Sequence, residues 1–201
     1  MTRKSFEKAK VIFNQNNGIL RTGQAKKLGV HQQILADMVE VGILVRESRG
    51  LYRLADLPPL SNPDLVHVAK RVPESVICLI SALNFHNLTT QIPYRVYIAL
   101  PRNNKPPRID YPPLDIIYMS SKPYFAGIEE HNIDGVLVKV YNREKTVSDC
   151  FKFRNKIGKD VALEALKDYL RLPDRQINLL LEYSRVNRVE NIIRPYLEAS
   201  L

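Results

Sequence analysis

The sequence contains few cysteines and no long apolar run. Cys78 and Cys150 are the only two cysteines in 201 residues, and each lies within an apolar pattern typical of a helix. We expect two buried free thiols, as is usual in a reducing cytoplasm, with a disulfide as the alternative. No stretch approaches the run of about 18 apolar residues that a membrane-spanning helix needs. The first seven residues also lack the apolar core of an export signal, so the sequence predicts a cytoplasmic protein.

The usual motifs of catalysis are also missing. Neither a Gly-rich phosphate loop nor a G-x-S-x-G element occurs. A metal-dependent nuclease would need an acid two residues before Lys139 to act with Asp115 of the preceding strand, but Leu137 stands there. No two histidines lie at a metal-ligand spacing, the four being His31, His67, His86 and His131. We therefore expect no cofactor, no metal and no enzymatic activity.

Positive charge, in contrast, is present in excess. The formal net charge of +9 favours a polyanionic partner, of which nucleic acid is the commonest in a cytoplasm. Residues 1–56 carry ten basic and five acidic residues, a net +5 in little more than a quarter of the chain. A basic surface that serves only solubility would also fit this charge, so the choice between the two depends on the order of structural elements.

Residues 1–56 have the element order of a winged helix-turn-helix. Asn17-Gly18 ends the first helix, Thr22 can cap the second, and Gly29 lies in the turn before the third. The hairpin that follows has a basic tip at residues 47–50. The predicted order is helix, short strand, helix, helix, strand and strand, at residues 5–16, 19–20, 24–28, 31–41, 43–46 and 51–54.

This geometry would place the third helix in the major groove of double-stranded DNA and bring the hairpin close to phosphates or the minor groove. Gln32 and Gln33 are candidates for reading bases, because glutamine pairs bidentately with adenine. Asp37 and Glu40 would repel phosphate, so we expect both to face away from the groove. Phosphate contacts are expected from four cations, Lys26, Lys27, Arg46 and Arg49.

The full set of candidate DNA-binding residues is Arg21, Thr22, Lys26, Lys27, His31, Gln32, Gln33, Arg46, Arg49 and Arg53. A winged helix that contacts protein instead of DNA is the alternative interpretation. The Arg49-Gly50 hairpin tip and the local positive charge favour DNA.

Three prolines in residues 57–63 predict a linker, and residues 64–201 then predict a second, mixed domain. Its pattern indicates helices at 64–71 and 75–87, strands at 95–100, 114–119 and 135–141, and helices at 144–154, 160–170, 176–183 and 189–197. Pro195 should kink the last helix. The expected fold class is α+β, with an N-terminal winged helix-turn-helix (1–56), a linker (57–63) and a C-terminal domain (64–201) of a small sheet and a helical bundle.

Three segments resemble the AbiEi-type antitoxins, in the right order between about residues 5 and 197. The first is the winged helix, through Gly18-Ile19-Leu20-Arg21-Thr22, Leu28-Gly29-Val30, Val41-Gly42-Ile43-Leu44 and Arg49-Gly50-Leu51-Tyr52. The second and third are residues 80–88, ISALNFHNL, and residues 141–149, YNREKTVSD. The first segment alone is shared by many small regulators, whereas the three together are fairly specific.

The resemblance implies a transcriptional regulator of a type IV toxin–antitoxin system, active in abortive infection and phage resistance. Such a protein represses its own operon, with inverted repeats as candidate operator sequences, and counteracts a nucleotidyltransferase-like toxin without a stable complex. Carried over residue by residue, an antitoxin surface would include Arg143, Glu144, Lys145 and Asp149. The alternative is that this segment only begins a helix, with Asn142 as its cap and Asp149 exposed. A plain winged-helix regulator with a ligand-sensing or oligomerising C-terminal domain also remains open.

Overall fold

The computed structural model describes residues 3–199, which form two compact units. The first unit extends to Arg71 and includes Asn132–Val136, and the second comprises Val72–His131 and the chain from Leu137 onward. Each unit encloses its own hydrophobic core. Residues 57–63 lie within the first unit, and independent folding of residues 1–56 and 64–201 stays a prediction.

A three-stranded antiparallel sheet and three helices form most of the first unit. In chain order the elements are α1 (Arg3–Asn14), β1 (Ile19–Arg21), α2 (Thr22–Lys27), α3 (Gln32–Glu40), β2 (Leu44–Ser48) and β3 (Leu51–Leu54). The strand order is β1-β3-β2. The elements are those of the predicted winged helix-turn-helix, each within a few residues of its predicted position.

The first unit folds this way because its apolar residues recur at helical spacing. Phe13 of α1 and Leu35 and Met38 of α3 have no exposed surface, as expected for side chains on the inward face of an amphipathic helix. After α1, Asn17 and Gly18 adopt φ angles of 59° and 72°. Both residues tolerate this left-handed conformation, which confirms the predicted stop.

A fourth helix, α4 (Pro63–Arg71), completes the first unit. Lys70 joins it to β1 twice, because its Nζ donates to the carbonyl of Ile19 at 3.5 Å and its own carbonyl accepts from Arg21 Nη1 at 3.1 Å. Four consecutive residues of α4 are buried, namely Leu65, Val66, His67 and Val68. The helix after the proline-rich segment therefore packs with the winged helix.

The second unit is a five-stranded mixed sheet with helices. Its strands are β4 (Val76–Ile77), β5 (Val96–Pro101), β6 (Leu114–Met119), β7 (Ile128–Ile133) and β8 (Val136–Tyr141), in the order β6-β5-β4-β8-β7. Its helices are α5 (Leu79–Phe85), α6 (Ser121–Phe125), α7 (Arg143–Lys152), α8 (Arg154–Ile157), α9 (Lys159–Leu170), α10 (Ile177–Asn187) and α11 (Glu190–Glu198). The predicted α+β class is confirmed.

One predicted helix, residues 75–87, is partly wrong. Val76 and Ile77 form the short central strand β4, which pairs antiparallel with β5 and parallel with β8. Cys78 then occupies the position before α5, which begins at Leu79. Since this segment is buried on every side, its apolar run carries no periodicity that separates a strand from a helix. The β-branched pair was the local sign of a strand.

Three further elements, α6, β7 and α8, were not predicted. β7 carries the polar run Glu129-Glu130-His131 at an edge of the sheet, where most of its side chains reach solvent, so it lacks the apolar alternation of a half-buried strand. Cys78 and Cys150 are free and fully buried. This agrees with the expectation of two thiols and excludes the disulfide alternative, and burial raises the pKa of both groups.

Candidate nucleic-acid interface

Helix α3 presents a polar N-terminal end to solvent. Leu35 and Met38 hold the helix to the core of the first unit. His31, which precedes α3, and Gln32 and Gln33 in its first turn are all exposed. The two residues predicted to read bases are therefore accessible, on the side of the helix that the core leaves open.

Gln33 has a partner on its own helix. Its side-chain Nε2 donates to Asp37 Oδ1 at 2.8 Å, one helical turn further along. Asp37 therefore shares a face with Gln33, and the expectation that Asp37 points away from a groove read by Gln33 is wrong. The hydrogen bond fixes the amide orientation of Gln33 and leaves its carbonyl oxygen and one N–H available to a base edge.

Lys26 and Lys27 end helix α2 and are both exposed. The start of α2 differs from the prediction, because Arg21 occupies the cap position and Thr22 is the first helical residue. Thr22 instead bonds to the hairpin, its backbone N–H and its Oγ1 both donating to the carbonyl of Gly50, at 3.0 and 3.4 Å. The start of α2 and the hairpin tip are thus held together.

The hairpin consists of β2, β3 and the turn between them, which is its tip. Its two candidate arginines, Arg46 in β2 and Arg49 in the turn, are exposed. Gly50 adopts a φ of 76°, and a Cβ there would lie 3.2 Å from Thr22 Oγ1. The turn therefore requires glycine for its backbone conformation and for its close approach to Thr22.

Two other predicted DNA-binding arginines, Arg53 and Arg21, form hydrogen bonds within the first unit. Arg53 is 6% exposed, forms an ion pair with Glu47 and donates to the carbonyls of Leu54 and Leu57. Arg21 is half-buried and bonds to the carbonyl of Lys70; burial, and to a lesser extent nearby Arg71, lowers its pKa. Arg53 is not accessible to DNA, which corrects that expectation, and Arg21 has only part of its surface free. The sequence showed their charge but not their burial.

A contact between the hairpin and α4 was not predicted. Ser48 of β2 lies 3.2 Å from Nε2 of His67, a ring that is 5% exposed. Burial lowers the pKa of His67, with a further lowering by nearby Arg71. The apolar positions around His67 in the sequence indicated that one face of α4 is buried, but they did not reveal the hairpin as its neighbour.

In the second unit, three of the four residues proposed for an antitoxin surface are buried. Lys145 and Asp149 are fully buried and form an ion pair at 2.5 Å, and Glu144 accepts from Tyr169 at 2.9 Å. The expectations of an exposed Asp149 and of a surface made by these three residues are therefore wrong. Only Arg143 is partly exposed, and its ion pair with Asp174 at 2.8 Å raises the pKa of Arg143 and lowers that of Asp174.

The helix-start interpretation of this segment agrees with the structure. The Asn142 side chain accepts from the backbone N–H of Lys145 at 2.9 Å, which is the predicted cap of α7. Asp149 accepts a further hydrogen bond from Asn187 of α10 at 2.7 Å. Residues 142–149 thus connect two helices through a buried polar network.

Within residues 3–199, no group of three or more His, Cys, Asp or Glu side chains is placed to hold a metal ion. None of the helices in this part of the chain is long and apolar enough to cross a membrane. Asp115 and Lys139, considered above for a nuclease site, lie on β6 and β8, which two other strands separate. Asp115 forms an ion pair with Arg95 at 3.1 Å.

Comparison with solved structures gives a fold similarity to the RV2827C protein from Mycobacterium tuberculosis, with a TM-score of 0.49 and 12% sequence identity. The alignment covers 98% of this chain and 82% of that one. Comparison with curated proteins gives no match.

The family comparison concerns the first unit. Residues 12–55, from the end of α1 through the hairpin, match a family model described as "Transcriptional regulator, AbiEi antitoxin". The match includes the nine candidate DNA-binding residues that are exposed or partly exposed, namely Arg21, Thr22, Lys26, Lys27, His31, Gln32, Gln33, Arg46 and Arg49. The predicted resemblance is therefore confirmed over this segment, and the winged helix of this chain is similar to that of the AbiEi antitoxin and transcriptional regulator family.

Proposed function

We propose that this protein is a DNA-binding antitoxin that represses its own operon through the winged helix and counteracts a nucleotidyltransferase-like toxin through residues 64–201. The observation that carries the proposal is the family match over residues 12–55. The described geometry supports it, because the matched segment is a winged helix with exposed cations and an exposed polar first turn on its third helix.

DNA binding would use two kinds of contact. Lys26, Lys27, Arg46 and Arg49 are exposed on α2 and the hairpin, and such cations bind phosphates without regard to sequence. Gln32 and Gln33 would read base edges from the N-terminal turn of α3, the part of a recognition helix that enters the major groove. Double-stranded operator DNA is the proposed partner.

The toxin-directed activity, within a type IV system of abortive phage infection, rests on the resemblance of residues 80–88 and 141–149. The polar side chains of the second segment are mostly internal, which favours a structural role for them. We propose that toxin counteraction involves no stable complex and that the protein has no catalytic activity of its own. The separation of Asp115 from Lys139 across the sheet supports the absence of nuclease activity.

The full-length chain allows the two activities to be separated. The variant Arg46→Ala/Arg49→Ala should repress a reporter joined to the operator less than the wild type does. The same variant should still protect cells in which the toxin is expressed from an unrelated promoter. That promoter matters because repression alone would lower toxin levels and imitate protection. Arg171→Ala/Arg175→Ala, which removes two exposed arginines of the second unit, is the matched control. Equal repression by both variants would contradict the proposal for the winged helix, and absence of protection by the wild-type chain would contradict the antitoxin assignment.

A plain regulator whose second unit senses a ligand is the other candidate function. One observation favours it, namely a cavity in the second unit with several cationic side chains in its wall. In that case the adjacent gene would not encode a toxin, and the wild-type chain would repress without protecting cells.

A further inference from the structure

A concave basic surface lies in the second unit, far along the chain from the winged helix. Its cavity has a volume of about 480 Å³ and draws five cations from four parts of the fold. Arg102 follows β5, Lys122 belongs to α6, Lys152 ends α7, and Arg185 and Arg188 lie at the end of α10. We call this surface the basic pocket. Side chains up to 86 positions apart in sequence thus converge on one cavity.

Positive charge in the basic pocket is only partly balanced within the protein. Lys152 donates to the carbonyl of Asn187 at 3.0 Å, and Arg185 forms an ion pair with Glu190 at 3.0 Å. The side chains of Arg102, Lys122 and Arg188 bond to none of the residues that the structure describes, and no acidic side chain of those residues lines the cavity. Three cations therefore have donors available for a ligand.

The backbone at Arg188 supports a role in binding. Arg188 follows α10 with φ 59° and ψ 40°, the left-handed conformation in which helices usually end with glycine or asparagine. An arginine with this backbone is strained, and such strain is concentrated at binding and catalytic sites. Glycine or asparagine would suit this backbone better, but neither carries a charge. The arginine at this position places a long cationic side chain at the wall of the pocket.

From this geometry we infer that the basic pocket binds a free oligophosphate, meaning two or three linked phosphates as in inorganic triphosphate or the phosphate chain of a nucleotide. Guanidinium groups bind phosphate oxygens in bidentate fashion, and several cations together match a chain of phosphates. The volume lies in the range of small-molecule sites. Pro123 and Val186 are the only apolar residues among those described in the wall, so a largely apolar ligand finds little to pack against. This inference does not depend on DNA binding by the winged helix.

Isothermal titration of the full-length chain with inorganic triphosphate, without DNA and at about 0.15 M salt to screen exposed charges, tests the inference. Lys122→Gln/Arg188→Asn removes two unpartnered cations, and asparagine suits the backbone at position 188, so this variant should keep its fold. The affinity of this variant for triphosphate should be lower by a factor of roughly ten or more, since hydrogen bonds between charged groups are lost.

The matched control is Lys167→Gln/Arg171→Gln. These two cations line another cavity of the second unit, of about 500 Å³, whose other wall residues are Leu163, Leu166, Leu170 and Tyr196. The control should bind triphosphate like the wild type. Absence of binding by the wild type, or equal loss in both variants, would overturn the inference. It would also be overturned if the pocket variant lost affinity for duplex DNA while its triphosphate binding stayed unchanged, because the phosphates would then belong to nucleic acid.

Discussion

At the scale of single residues, the Gln33–Asp37 pair determines which groups the proposed recognition helix α3 would present to DNA. The 2.8 Å hydrogen bond holds a carboxylate beside the proposed base-reading amide. A carboxylate repels phosphate, but it also orients the amide and can accept a hydrogen bond from cytosine N4. Specificity and affinity should therefore respond differently to changes at these two positions.

Gln33→Ala should reduce discrimination between the operator and a duplex changed at one base pair by about 1–3 kcal/mol, the value of a bidentate contact. Its affinity for random DNA should change little, because no phosphate contact is removed. Asp37→Asn should instead strengthen binding to operator and random DNA alike. Competitive anisotropy titrations measure both, and equal losses on the two DNAs for Gln33→Ala would show that its side chain contacts only the backbone.

The buried pair of Lys145 and Asp149 allows a second prediction at this scale. Lys145→Met leaves an uncompensated buried carboxylate and should lower the free energy of unfolding by about 3–5 kcal/mol. The double change Lys145→Met/Asp149→Leu should be less destabilising than the single one, because it removes both charges. Urea unfolding followed by circular dichroism measures the difference. A double variant that is no more stable than Lys145→Met would contradict this prediction.

At the scale of elements, α4 acts as a brace for the hairpin. Ser48 contacts His67, and Arg21 and Lys70 connect β1 with the helix. Helix α4 therefore supports the same hairpin that would contact phosphates. We expect that a chain ending at residue 56, before this helix, holds its hairpin less firmly than one that includes α4.

The His67 contact should make stability depend on pH. Since burial lowers the pKa of His67, the unfolded chain binds more protons than the folded chain once the pH approaches the ordinary value near 6.5. Stability is then fully present above that pH and decreases as the pH falls towards the lowered pKa. His86 has a pKa lowered by burial as well and should add to the effect. The difference in melting temperature between pH 7.5 and pH 5.5 should be smaller for His67→Gln than for the wild type. An unchanged difference would show that His67 does not cause the pH dependence of stability.

The elements also show what could be predicted from sequence. Helices α1 and α3 and the hairpin were predicted because their apolar residues have one clear period and their turns contain Gly18 or Gly50. Strand β4 was not predicted, because a segment buried on all sides has no polar face to reveal its period. Arg53 was assigned to a surface because charge usually reaches solvent, and Lys145 because of the family resemblance. Glu47 and two carbonyls allow the burial of Arg53, and Asp149 allows that of Lys145.

At the scale of the whole molecule, two groups of cations, one on the winged helix and one in the basic pocket, differ in their arrangement. The winged helix carries exposed cations on its hairpin and on a short helix, namely Lys26, Lys27, Arg46 and Arg49. The second unit carries five in a concave pocket. The first arrangement suits an extended duplex, and the second suits a compact anion. Charge alone could not have distinguished these surfaces in the sequence.

We propose that the winged helix binds double-stranded DNA through its exposed cations. The most direct test is the salt dependence of operator binding by the full-length chain, measured by fluorescence anisotropy. Four phosphate contacts predict a log–log slope of roughly −4 for each bound protomer. Arg46→Ala/Arg49→Ala should weaken binding to all sequences and reduce the slope to roughly −2, while Arg171→Ala/Arg175→Ala should match the wild type. If the hairpin variant keeps the wild-type affinity and slope, the hairpin is not part of the DNA interface and the claim is wrong.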